Sequence, residues 1–271
     1  RHLHSGGRQR ALLVGPSGVG KTTIGLAMAE ALECPAVVWD VSVSSEVGWS
    51  GISVSDVLAE MYTAHDGDLD WLSRTVLIAD EIDKLAVRGA QGSSREHRVG
   101  QQKSLLGILG GGVPTRFQAE GDRGRTLAVR TDHMLILGLG AFHGLPKDAG
   151  AGDLVRYGFS VEFASRFPVI LTLATPSPDQ LVPILRREIA DALAGAAEFG
   201  FSIEVPDAVL RYVARSVCDA GPDLTSRAGA GWLTSAVDAA LLRLIDLEAK
   251  PGTHIKLRAD DVPVPAALRR V

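Results

Sequence analysis

The chain has 271 residues, with 28 Lys and Arg against 32 Asp and Glu, a net charge of −4 and 46% hydrophobic residues. That balance excludes wholesale disorder and argues against a protein that coats nucleic acid by charge alone. The length accommodates roughly two domains. The two cysteines, Cys34 and Cys218, lie far apart and form no CxxC pair. Their placement argues against structural zinc or a disulfide framework and suits a reduced, cytoplasmic protein. No uninterrupted apolar run reaches the ~18 residues of a membrane span. The start, Arg1-His2-Leu3-His4-Ser5-Gly6-Gly7, lacks the apolar core of a signal peptide. It also lacks Met, as a piece of a longer protein would.

In chain order, residues 11–14 form a short apolar run before Gly15-Pro16 and are predicted to be a buried strand. Residues 22–32 carry Ile24, Ala27, Met28, Ala31 and Leu32 at helical spacing, and Pro35 stops that helix. Further strands are predicted at 36–41, 75–79, 133–138 and 169–173. Their continuous apolar runs suit strands buried on both faces, and the helical stretches between them imply a parallel sheet with helices on both sides. The stretch 88–131 is rich in Gly, Arg, Gln and Ser; one helix is expected near 101–109 and exposed loops elsewhere.

After Pro176 the pattern becomes helical. Ser177-Pro178-Asp179-Gln180 reads as a capping box with proline at the first helical position. The helix it opens is expected to bury Leu181, Ile184, Leu185 and Ile189. A second helix begins near Pro206 with Leu210, Val213 and Val217 on one face. A third spans about 229–249 with Leu233, Val237, Leu241 and Leu244. Residues 201–205 and 254–257 are expected to pair as a small sheet. The boundary falls near 175, giving an α/β domain over 1–175 and a small helical domain over 176–271.

Gly15-Pro16-Ser17-Gly18-Val19-Gly20-Lys21-Thr22 fits GxxxxGK[ST], with a strand before it and a helix after it. Glycines let the backbone curl so that its N–H groups face phosphate oxygens, and the helix N-terminus adds positive potential. Lys21 is placed to reach the β- and γ-phosphates, and the Thr22 hydroxyl to bind Mg²⁺; Thr23 is grouped with this phosphate-binding set. The apolar strand before Asp80-Glu81 delivers two acids to the carboxyl end of the sheet, where ligands bind in open α/β folds. Asp80 is expected to hold Mg²⁺ through water and Glu81 to polarise the attacking water. These parts specify ATP binding with Mg²⁺ and point to hydrolysis. The seven histidines show no metal-ligand spacing.

Asp80-Glu81-Ile82-Asp83-Lys84-Leu85 resembles the Walker B segment of the ClpX family, AAA+ unfoldases. The resemblance continues in order along the chain. Gly48-Trp49-Ser50-Gly51 is similar to the family's pore loop, and 99–106 to the helix after its second pore loop. Gly138-Leu139-Gly140-Ala141-Phe142-His143-Gly144-Leu145 is similar to its Gly-Gly-Ala-Phe segment. Segments 153–159 and 162–168 are similar to its arginine-finger region. The resemblance implies an AAA+ P-loop NTPase fold with a small helical lid domain. It implies a homo-oligomeric ring, a hexamer, that unfolds a protein substrate. Arg166 would be the finger that reaches a neighbouring subunit's γ-phosphate, and Trp49 would grip the translocating chain. A surface arginine capping an element end and a core tryptophan are the structural alternatives.

The departures from the family carry their own expectations. Between Leu145 and Asp153 only Pro146-Lys147-Asp148-Ala149-Gly150-Ala151-Gly152 stands where the family has a long peptidase-docking insertion, which argues against docking to ClpP. The zinc-binding domain has no counterpart in the sequence. Gly231 occupies the position of the family's sensor-2 arginine, with Arg227 nearby but out of register. That loss favours a rival reading, a nucleotide switch that hydrolyses little. A DNA-associated AAA+ protein is a second rival, opposed by the acidic total. Arg88, Arg95, His97 and Arg98 suit either a second pore loop or a solvated basic loop. Arg116, Arg123, Arg125 and Arg130 suit a contact to substrate or nucleic acid, but a charge run is usually just solvated.

Overall fold

A computed structural model describes residues 9–42, 54–118, 125–221, 226–265 and 268. The chain divides into two compact units. One holds the described residues up to Gly15 together with Gly20–Leu173; the other holds Pro16–Val19 and the described residues from Ala174 onward.

The first unit is built on a five-stranded sheet of β1 (Arg10–Val14), β2 (Ala36–Asp40), β3 (Val76–Asp80), β6 (Leu135–Gly140) and β7 (Val169–Thr172). The strand order is β2-β3-β6-β1-β7, and every pair is parallel. Side chains alternate across each strand, so Leu12 and Leu13 serve opposite faces. Leu13, Ile78 and Leu137 pack on the face that α1 (Lys21–Ala31) covers. Leu12, Leu77 and Ile136 pack on the other, with α2 (Val54–Ala64) and α4 (Gly92–Gly110). Between α2 and β3 lies the short α3 (Leu69–Ser73), opened by Asp68, whose carboxylate accepts from the Asp70 and Trp71 N–H groups. The parallel α/β architecture predicted from the sequence is the one observed.

Two features of this unit differ from the sequence expectation. The helix expected near 101–109 is α4, which is 19 residues long. Its first third, Gly92 to His97, stands exposed and has no apolar stripe, so periodicity gave no sign of it. Second, the stretch assigned to loops contains an antiparallel hairpin of β4 (Thr115–Gln118) and β5 (Thr126–Val129). Phe117 and Val129 from that hairpin are buried in the main core. Arg10 is also buried and opens β1, one residue before the apolar run read as the strand. Its guanidinium donates to the carbonyls of Gln9, Met134 and Thr131 at 3.1–3.2 Å and of Ile108 at 3.5 Å. Ile108 lies in the last turn of α4, where carbonyls have no intrahelical partner and a cation is favourable.

The second unit packs α7 (Pro178–Glu188), α8 (Ala190–Glu198), α9 (Asp207–Asp219) and α10 (Ser226–Asp246) around one apolar cluster. Ser177 caps α7: its hydroxyl accepts from the Gln180 N–H, and the Gln180 side chain accepts from the Ser177 N–H. Leu181, Leu185, Ile189, Leu210, Val213, Val217, Leu233, Val237 and Leu244 are buried, but Ile184 is exposed, on the outer side of α7. Helix α8 was not expected. Its sequence is alanine-rich, so it has helix propensity without an apolar stripe. The small sheet is real: β8 (Ser202–Glu204) pairs in parallel with β9 (His254–Lys256). Helix α10 is long and apolar enough to cross a membrane by composition, yet its Leu233, Ala236 and Val237 fill this core.

Candidate functional site

The carboxyl ends of β1 and β3 flank that of β6. After β1, the turn passes through Gly18 (φ 74°) and Gly20 (φ 91°), backbone conformations that glycine adopts without strain. Gly20 is the N-cap of α1 and offers no side chain to its first N–H groups. A helix N-terminus without a side-chain cap is the arrangement that suits an anion. The Lys21 ammonium folds back to donate to the Gly15 carbonyl at 2.8 Å, and the Gly15 N–H donates to the Gly140 carbonyl at 3.2 Å.

The Thr22 hydroxyl donates to Asp80 Oδ2 at 3.0 Å, joining the start of α1 to the end of β3. Asp80 Oδ1 accepts from the Glu81 N–H at 2.8 Å. Glu81 itself is exposed and has φ 56°, a left-handed conformation uncommon for a residue with a Cβ. It is followed at once by a 3-10 turn, Ile82–Leu85, whose Lys84 N–H donates to the Glu81 carbonyl at 3.0 Å. Strain of this kind persists where the surroundings over-determine it, and here it turns a carboxylate out of the strand end.

Burial lowers the Lys21 pKa, against the opposing pull of Asp80, Asp83 and Glu81 in that order. A cation that burial makes costly is stabilised by incoming negative charge, as phosphate oxygens would supply. Thr22 and Asp80 offer a hydroxyl and a carboxylate, a donor set for a hard divalent cation that keeps most of its water. No group of three or more His, Cys, Asp or Glu side chains suited to a metal occurs among the described residues. The site thus fits a cation shared with phosphates, not a dedicated protein cage.

The sequence reading missed two contributors. Asp83 carries no role of its own in the sequence reading, where it stands only within the Asp80 to Leu85 segment. Its Oδ2 accepts from the Phe142 N–H at 3.3 Å, and its charge acts on Lys21. Gly140 makes this possible: a Cβ there would lie 2.6 Å from Asp83 Oδ1 and 2.6 Å from the Phe142 ring. At Gly138 a Cβ would meet Leu12 Cδ2 at 2.5 Å. The Gly-Leu-Gly at the end of an apolar strand was the signal for this close approach.

The other expected residues lie elsewhere. Arg166 follows α6 (Val161–Ala164), and its Nε is buried with no hydrogen-bond partner among the described residues. Arg95, His97 and Arg98 are on α4, not in a loop; Arg98 donates to the Ala86 carbonyl at 2.8 Å, and Arg88 sits 5.9 Å over the Tyr157 ring. Gly231 and Arg227 are both exposed on α10. Trp49, with Gly48, Ser50 and Gly51, lies outside the described residues, as does Arg123.

Comparison with known proteins agrees with this geometry. The chain is 28% identical over 221 residues to ATP-dependent Clp protease ATP-binding subunit ClpX 2 of Wolinella succinogenes, covering 73% of this chain and 55% of that protein. It is 30% identical over 211 residues to the ClpX subunit of Borrelia duttonii, covering 66% and 49%. It is 28% identical over 275 residues to that of Azotobacter vinelandii, covering 86% and 61%. The chain spans about half the length of the first two relatives. Residues 11–193 match the family described as ATPase family associated with various cellular activities, AAA. With that match running from β1 into the helical unit, and with Lys21, Thr22, Asp80 and Glu81 gathered at the strand ends, the chain belongs to the AAA family and is ClpX-like.

Proposed function

We propose that this chain is the ATPase module of a ClpX-like machine that unfolds or remodels protein substrates. The observation that carries the reading is the Thr22–Asp80 bond beneath an uncapped α1 N-terminus, with Lys21 and Glu81 on either side. The backbone from Gly15 through Pro16, Ser17, Gly18, Val19 and Gly20 wraps the phosphates of ATP. Lys21 neutralises the β- and γ-phosphates. Thr22 and Asp80 hold Mg²⁺, which when bound offsets charge on the phosphate oxygens. Glu81, turned out of the strand end, orients and polarises the attacking water. Little covalent work falls to the protein; positioning and electrostatics do most of it.

Arg166 completes the site of a neighbouring copy, where developing charge on the γ-phosphate needs a cation. The buried, unpartnered Nε supports a guanidinium held back from local bonds. This reading places the chain in a cytoplasmic homo-oligomeric ring, a hexamer, with Trp49 contacting an extended polypeptide in the pore. The shortened 146–152 segment argues against docking to the ClpP peptidase.

A second reading, a switch that binds ATP and hydrolyses little, is favoured by one observation. Gly231 stands exposed on α10 at the place where the ClpX family carries its sensor-2 arginine. Steady-state ATPase measurement, with and without an unfolded polypeptide, decides between the two. Stimulation by polypeptide supports the remodeller. Tight ATP binding with negligible turnover in both conditions supports the switch.

A further inference from the structure

Gln102 is one of four buried polar residues among those described in the first unit, 3% exposed, and it lies on α4. Its Nε2 donates to the Leu85 carbonyl at 2.8 Å and to the Gly158 carbonyl at 3.3 Å. Its Oε1 accepts from the Ser160 N–H at 2.9 Å. The orientation is fixed, since a reversed amide would set its oxygen against two carbonyls and its NH₂ against an N–H. Leu85 closes the 3-10 turn that begins beside Glu81. Gly158 and Ser160 lead into α6, after which comes Arg166.

Helix α6 has only four residues, too few to hold a conformation alone. Ser160 is its N-cap: the hydroxyl accepts from the Phe163 N–H, and the Ser160 N–H is the bond given to Gln102. The Arg166 N–H in turn donates to the Phe163 carbonyl at 3.0 Å. Packing reinforces the same path. Phe163 lies between Phe159, stacked at 5.0 Å, and Phe167, tilted at 5.4 Å. Phe159 is in turn 6.0 Å from Phe142, whose N–H is held by Asp83 of the Glu81 turn. Glycine is required at 158, where φ is 122° and a Cβ would meet the Arg88 N at 2.8 Å. The amide bridge and the aromatic rings therefore join the same two segments by independent contacts.

We propose that Gln102 is a positioning residue for ATP hydrolysis, tying the short helix before Arg166 to the turn that carries Glu81. The inference rests on the finger role assigned to Arg166 above. The Glu81 turn has its own anchors in Asp80 and Lys84, so the segment that depends on the amide is the one ending at Arg166. Misplacing a catalytic group by about 1 Å costs on the order of a hundredfold in rate, so a loosened Arg166 slows turnover while the P-loop still binds nucleotide.

The experiment uses the full chain as wild type, Gln102→Met, Arg166→Ala and the double variant. Methionine keeps the length of the side chain and removes the amide; thermal melting of each protein verifies folding. Gln102→Met is expected to lower kcat roughly tenfold to a hundredfold while ATP affinity changes by less than about threefold. Because it acts through Arg166, adding it to Arg166→Ala is expected to slow turnover by less than about twofold more. Amide hydrogen exchange over residues 160–166 is expected to quicken in Gln102→Met. Wild-type turnover in Gln102→Met, or an equal loss in both backgrounds, would overturn the inference alone. Wild-type turnover in Arg166→Ala would remove the finger reading and this inference with it.

Discussion

The two units are held together in different ways. The second is an apolar bundle: Leu185, Leu210, Val213, Leu233 and Val237 meet at its centre, and Ser216 is the one buried polar residue among those described. The first buries Arg10, Thr75, Gln102 and Thr131 and holds Glu81 and Phe142 in left-handed conformations. Buried polar groups and strained backbone cost free energy, and they persist where the surrounding bonds are complete. Glu81 and Phe142 lie just past the carboxyl ends of β3 and β6, where the phosphates are expected, while Arg10, Thr75 and Thr131 lie at or before the amino ends of β1, β3 and β6. The comparison separates a unit whose packing is its main task from one that also carries a charged site.

The sharpest way to break that contrast is at the site. Glu81→Gln is expected to keep ATP bound and slow turnover by roughly a hundredfold or more, since a carboxylate that polarises water becomes an amide that does not. Lys21→Ala is expected to lose nucleotide binding, because the cation facing the phosphates is gone. Single-turnover kinetics and calorimetry read the two separately. Equal turnover in wild type and Glu81→Gln would mean that the left-handed turn at Glu81 serves structure only.

In the bundle the expected effect is on stability. Leu210 is fully buried among α7, α9 and α10, and Leu210→Ala is expected to cost about 2–5 kcal/mol, part of it from the cavity left behind. Two units with separate cores allow two melting transitions, and this change is expected to lower one of them. Arg10→Met tests the other side of the comparison. It keeps the apolar stem but leaves the Met134 carbonyl without its guanidinium donor, at a cost of about 1–3 kcal/mol, while the Thr131 carbonyl keeps the Met134 N–H. A neutral result in calorimetry would show that water replaces the guanidinium at no cost.

Lys21 also gives a pH signature. Its folded-state pKa lies below the ordinary 10.5 because burial disfavours the ammonium, and the unfolded chain therefore binds more protons between the two values. Stability is expected to rise with pH across that window. Nucleotide affinity is expected to move the opposite way, weakening as the ammonium is lost below 10.5. Alkaline titration of both quantities checks the sign, and parallel trends would contradict the burial of Lys21.

The same contrast explains what the sequence made legible. Strands β1, β2, β3, β6 and β7 announced themselves as apolar runs because both faces of the sheet are covered. The phosphate loop was readable because its chemistry fixes glycines, lysine and hydroxyl at set spacings. The first third of α4 was not, since Gly92 to His97 are exposed and carry no pattern. Helix α8 was hidden by alanines that pack without a stripe. Arg10 and Gln102 were invisible for a related reason: a polar side chain buried by carbonyls far along the chain looks, in sequence, like a solvated one. The role of Asp83 was not legible, because its partner is a backbone N–H 59 positions away.

The smallest expected effect lies at the start of α7, where sequence and structure agree most closely. Ser177 and Gln180 exchange side-chain and backbone bonds, and Pro178 at the first helical position gives up no N–H that the helix needs. Ser177→Ala removes the hydroxyl that accepts from the Gln180 N–H, while the Ser177 N–H still reaches Gln180 Oε1. The expected loss is about 1 kcal/mol, and Ser177→Gly is expected to cost only a few tenths, because glycine suits an N-cap better than alanine does. The cap is exposed and remote from Lys21 and Glu81 in sequence, so ATP affinity is expected to stay unchanged while the melting temperature falls. If affinity fell together with stability in Ser177→Ala, packing in the second unit would no longer be separable from the chemistry of the first.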